Sequence, residues 1–233
     1  MIADQPTALE TIDLLLRDRT RMLAALRGDR DVMPILRTMI ATIAVCMAIV
    51  GAALGTYRGG VQIAYAAIKL PLVLLGTAAL SAPALTAVGV ALGRRARFAS
   101  DLALVLSSLA FGALLMAACT PLILLGRSID LDYHRMILAT VGMFGVSGIA
   151  ALRMIAVGLG GENAVGWRAA FASMCLVFIL VGSQLGWSLR PYLVRPRAQN
   201  VVFVREVEGS LYDALLEAFD SARGIYTTRG ESL

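Results

Sequence analysis

Residues 102–126 read LALVLSSLAFGALLMAACTPLILLG, an unbroken stretch without Asp, Glu, Lys or Arg. A bilayer's hydrocarbon core takes about 20 apolar residues of helix to cross. Backbone in that core must satisfy its own hydrogen bonds, so a stretch of this kind threads it as a helix. Working outward, charge-free runs recur at 38–57, at 70–93, at 136–152 with an apolar continuation past Arg153 to 156, and at 169–189. The sequence thus predicts an all-α fold, a polytopic transmembrane helical bundle of five spans. It divides into an amphipathic arm over 1–37, a membrane domain over 38–189 and an extramembrane tail over 190–233.

Composition agrees with that division. Hydrophobic residues make up 58% of the chain and charged residues 16%, with a mean hydropathy of +0.77, whereas soluble domains carry about 45–50% apolar and about 25% charged residues. The net charge of +5 does not point to nucleic acid, because the basic residues cluster beside apolar spans, where Arg anchors in the headgroups and sets topology. Arg94, Arg95, Arg97 and Arg190 are such anchors, and Trp167 and Trp187 bracket the fifth run as belt residues. With the N-terminus inside, Arg and Lys number eleven on the cytoplasmic side against eight outside. That bias favours a cytoplasmic N-terminus in a bacterial inner membrane.

One region is longer than a simple span. Residues 61–68 are apolar apart from Gln62 and run through Lys69 into Leu70 and Pro71. They read as an interfacial helical segment that bends at Pro71 before crossing, with a second kink at Pro83. A re-entrant pair of half-helices over 61–93 is the alternative.

Both ends carry amphipathic patterns. Thr7 with Glu10 fits a capping box, Leu9, Ile12, Leu16, Leu23 and Leu26 repeat at helical spacing, and Gly28 closes the run. Asp13, Arg17, Asp18 and Arg21 form the other face. Such a helix lies on the membrane surface, meets a partner, or packs on its own chain. In the tail, 201–207 is β-branched and extended in character. Ser210 with Asp213 opens a short helix whose apolar face holds Leu211, Leu215 and Phe219.

Chemistry is sparse. No ionisable residue falls within any of the five runs, and such groups are what ion-coupled transporters depend on. Cys46, Cys119 and Cys175 each lie in an apolar run at no ligand spacing, so they read as small buried hydrophobes. The single His, His134, alternates with Asp130 and Asp132 in one short loop, a weak candidate for metal or acid–base work. There is no nucleophile elbow or phosphate loop, and 158–161 lacks the strand and Lys that a phosphate site requires. No cofactor, metal or catalytic residue is therefore expected.

What the runs do carry is packing chemistry. Gly51 with Gly55, Gly89 with Gly93, and Gly182 with Gly186 are each four apart, placing both glycines on one helix face for close approach of a neighbouring helix, within the chain or in a second copy. Gln184 lies between the last pair and can bond across helices.

Lys69-Leu70-Pro71-Leu72 and the closing motif Gly182-Ser183-Gln184-Leu185-Gly186-Trp187-Ser188-Leu189-Arg190-Pro191 resemble a group of bacterial multi-span proteins of the Yip-like five-span class, over residues 18–219 or so. The resemblance implies a five-span, non-enzymatic protein and supplies no catalytic residues. The Asp-Leu-Tyr-Gly-Pro signature of the eukaryotic members is absent, so their GTPase partners are not carried over.

The expected function is that of a scaffold or accessory subunit embedded in lipid, with protein partners at the N-terminal helix and the tail. A small homo-oligomeric channel or passive transporter is the alternative, and a membrane enzyme using the 130–134 loop is the third reading.

Overall fold

The computed structural model describes residues 7–27, 32–93, 97–131, 133–160, 166–189 and Phe203, apart from the side chains at 27, 133 and 134. Among these residues the fold is all helical, and five helical stretches are long and apolar enough to cross a membrane: Met33–Gly55, Val61–Ala91, Phe98–Ser128, Arg135–Gly160 and Trp167–Ser188. The elements are α1 (Ala8–Arg17), α2 (Arg19–Arg27), α3 (Met33–Gly55), α4 (Val61–Ala91), α5 (Phe98–Ala118), α6 (Thr120–Ser128), α7 (Tyr133–Gly160) and α8 (Trp167–Ser188). The expected tail helix over 210–222 lies outside the described residues, as do Arg94, Arg95, Asp132 and Arg190.

The arm is two helices rather than one. Thr7 and Glu10 close the expected capping box, Glu10 Oε2 accepting from the Thr7 N–H at 2.8 Å and Thr7 Oγ1 accepting from the Glu10 N–H at 3.3 Å. Asp18 then breaks the run at φ −134°, ψ 74°, and its Oδ1 accepts from the Arg21 N–H at 2.9 Å. A short acidic side chain serves the start of α2 as an N-cap does. The break shifts the phase of the apolar stripe. Leu15, Met22, Leu23 and Leu26 are buried, while Leu9 is 78% exposed and Leu16 44%. The arm packs on its own bundle, with α1 against α3 and α5 and α2 against α5.

The crossings alternate in direction. Gly59 and Gly60, at φ +84° and +61°, make the turn from α3 to α4, a backbone region that side chains with a Cβ seldom enter. α4 is one continuous helix from Val61, carrying both Pro71 and Pro83 within it, so the expected interfacial segment and the crossing are a single element. The third crossing is two helices in series, interrupted at Cys119 ahead of Pro121. The Tyr57 hydroxyl donates to the Leu131 carbonyl at 2.7 Å, tying the turn after α3 to the turn before α7. The end of the bundle where these turns lie is called the tail end, and the end that receives α1 and α2 the arm end.

α5 occupies the middle. Every residue from Ala103 to Ala113 is buried, and a helix buried on all sides must have neighbours all round. α2, α3, α4 and α7 supply them. α8 lies at the edge against α4 and α7, entered through Gly166 at φ +74°. Outward-facing apolar side chains abound, including Leu138 at 71%, Val146 at 69%, Ile149 at 68% and Ile179 at 66%. A soluble monomer does not expose apolar surface on this scale; a bilayer covers it.

Candidate functional site

α4 presents Gln62, Ala66, Lys69 and Leu70 on one buried face, the positions that recur at one side of a helix. Lys69, read from sequence as a boundary charge, is 0% exposed, as is Gln62. The expectation that ionisable residues stay clear of the spans is thus corrected: Lys69 lies two turns inside the second crossing helix. It is also the only lysine in the chain. Periodicity could not have revealed this, because a single charge between two apolar runs reads as the edge of both.

Phe203 from the tail reaches this face. Its ring meets Tyr65 edge-on, with centroids 5.0 Å apart and planes at 82°, and Lys69 Nζ stands 5.1 Å from its centroid. Tyr65 and Lys69 are four apart on α4, so one aromatic ring bridges successive turns. A cation over an aromatic face is favoured by the ring's quadrupole, more so away from water. The arrangement holds Phe203 at the tail end of α4 and gives a buried cation a π face. Charged groups at such depth are costly to keep and usually serve a purpose.

A second polar feature joins α4 and α5 near the arm end. The Thr86 hydroxyl donates to Asp101 Oδ2 at 2.9 Å, and Asp101 is 3% exposed. Between these two features Ser81 and Ser107 are fully buried, and their hydroxyls have no hydrogen-bond partner among the described residues.

The predicted packing glycines separate into classes. A Cβ at Gly51 would collide with the Ala66 carbonyl oxygen, and one at Gly55 would lie 2.5 Å from the Ile63 Cα. This pair therefore seats α4 backbone against α3 within the chain. Gly89 is buried in α4, but Gly93 lies beyond that helix in the turn at φ +79°, so the two do not share a helix face. Gly182 touches Thr77 of α4 and Gly186 meets open space; Gln184 between them is half-buried. Two close approaches escaped the spacing rule. A Cβ at Gly112 would lie 3.2 Å from the Ser147 carbonyl oxygen, and one at Gly158 would strike Leu104 of α5 and come within 3.2 Å of Leu23 of α2.

Trp167 packs on Gly160 and beneath Arg168, whose Cζ is 5.7 Å from its ring. Arg97 directly precedes α5, and Trp187 lies in the last turn of α8. Asp130 sits in a turn at φ +50°, and His134 falls in the first turn of α7. Among the described residues no three His, Cys, Asp or Glu side chains are grouped for a metal.

The chain matches no family model, and no curated protein or solved structure was found similar to it.

Proposed function

We propose that this chain is a non-enzymatic accessory subunit of the bacterial inner membrane, its N-terminus cytoplasmic, that receives a transmembrane helix of a partner protein on the open face of α7. One observation carries the reading. Among the described residues nothing lies within 4 Å of where a Cβ at Gly142, Gly145 or Gly148 would stand, whereas Gly51, Gly55, Gly112 and Gly158 are all closely engaged. Each glycine in a helix interior costs about 1 kcal/mol relative to Ala, and packing among the described residues gives no return for these three. Small residues on an outward helix face allow a second helix to approach closely in lipid. Leu138 and Val141 flank them and are both exposed. The resemblance to Yip-like five-span proteins points the same way, toward association rather than catalysis.

The channel reading would require several copies, because residues 103–113 of α5 plug the centre of a single bundle. The test is affinity capture of the tagged full chain in mild detergent, with wild type beside Gly145→Leu and Gly148→Leu. Recovery of one defined membrane protein with wild type, lost in both variants, is the expected result. Recovery of this chain alone, with discrete conductance after reconstitution, would replace the accessory reading by the channel. Equal recovery of the partner in all three proteins would remove α7 from the interface.

A further inference from the structure

At the arm end, α2, α5 and α7 line a half-open cavity of about 620 Å³ whose lining includes Arg19, Phe111, Val146, Ile149, Arg153 and Val157. Two guanidinium groups, from elements far apart in the chain, line one apolar chamber. Arg19 Cζ stands 4.1 Å from the centroid of the Phe111 ring. Stacking of that kind leaves the N–H donors in the guanidinium plane available to an oxygen ligand. Among the described residues neither Arg19 nor Arg153 has a carboxylate within ion-pair distance. The chamber has a fixed positive charge and no described internal counter-ion.

The lining identifies the occupant. Arg153 is the first charged residue after the charge-free run 136–152 and lies about two turns short of the end of α7 at Gly160, within reach of a headgroup drawn in from the arm end. Val146 and Ile149 lie one to two turns deeper on α7 and are largely exposed, at 69% and 68%, so the wall beyond the arginines faces acyl chains. Phosphate at the guanidiniums with hydrocarbon along Val146 and Ile149 is the layout of a phospholipid, and arginine suits phosphate oxygens because its planar fork of donors can engage two at once. We propose that this cavity binds one anionic phospholipid, its phosphate held between Arg19 and Arg153 and one acyl chain lying along α7, so that the lipid clamps the N-terminal arm to the bundle.

The experiment is native mass spectrometry of the full chain released from nanodiscs of phosphatidylcholine containing a minor fraction of phosphatidylglycerol. The expected result is one retained phosphatidylglycerol per chain. Arg19→Gln and Arg153→Gln should each weaken retention about fivefold, the factor for one basic residue facing an anionic headgroup. Arg135→Gln, which removes an exposed arginine at the opposite end of α7, should leave retention unchanged. Because loss of Arg19 could also release the arm, Ile149→Trp provides an independent check: it fills the chamber with both guanidiniums intact and should expel the lipid. Equal retention of the two lipids, or retention unaffected by Arg153→Gln and Ile149→Trp, would overturn the proposal. Displacement of the lipid by millimolar inorganic phosphate would overturn it too, marking the pair as a site for a free anion.

Discussion

The Thr86 hydroxyl donates to Asp101 Oδ2 across the α4–α5 contact at 2.9 Å, close to the point where the second crossing ends and the third begins. Asp101 lies in the first turn of α5, where the positive end of the helix dipole favours a carboxylate. Thr86→Val keeps the shape and removes the donor, leaving a buried carboxylate with one bond fewer. It should lower unfolding stability in detergent by about 1–2 kcal/mol. Combined with Asp101→Ala, the loss should be smaller than the sum of the single losses. Strict additivity would show that the two groups are not coupled.

Glycines that look alike in sequence should respond oppositely. Gly51→Ala forces a methyl into the Ala66 carbonyl, a backbone group that moves only if α4 moves, and should cost about 1–3 kcal/mol by overpacking. Gly145→Ala meets nothing within 4 Å and should be neutral or stabilise the isolated protein by up to about 1 kcal/mol. Thermal melts of both variants in the same detergent decide it, and similar shifts would contradict the assigned packing.

The arm provides a contrast between neighbouring leucines. Leu15→Ala removes a fully buried side chain and should weaken docking of α1 by about 2–5 kcal/mol. Leu9→Ala, at an exposed position, should have little effect. Amide exchange over residues 8–26 is the readout: faster exchange in Leu15→Ala alone is expected, and equal exchange in both variants would mean that the arm is not held through this face.

Lys69 offers a chemical probe because it is the chain's only lysine. A water-soluble amine reagent should modify it slowly in the native protein. Phe203→Ala opens one wall of its enclosure and should accelerate modification severalfold, as followed by mass spectrometry of the peptide containing Lys69. An unchanged rate would show that the tail does not shield this amine.

The crossings are readable from sequence because lipid imposes a length and a polarity that few other environments demand, and 102–126 meets both. The interior arrangement is less so. Lys69 and Gln62 face inward because of the angle at which α4 meets its neighbours and Phe203, and no one-dimensional pattern encodes that angle. Asp18 breaks the arm through a local competition in which its carboxylate serves the Arg21 N–H, and the capping box at Thr7 and Glu10 conceals a second start signal. Gly158 has Met154 one turn before it, and α7 ends at Gly160 before another turn is complete, so its contact with α5 and α2 has no spacing signature. Arg19 and Arg153 read in sequence only as solvated or anchoring charges, because their convergence depends on α2 rising along α5 to the level of Phe111.

The seat of α2 has a consequence for how the polypeptide reaches its final form. Leu23 rests against a platform that Leu104 and Gly158 complete together, and Gly158 belongs to the fourth crossing. The α3–α4 hairpin can close as soon as two segments have been inserted. The arm helices dock chiefly on α3 and α5, so their main surface exists only once the third crossing has entered the membrane, and the Gly158 contact is added with the fourth. Docking of residues 8–26 thus waits on segments that come after them in the chain.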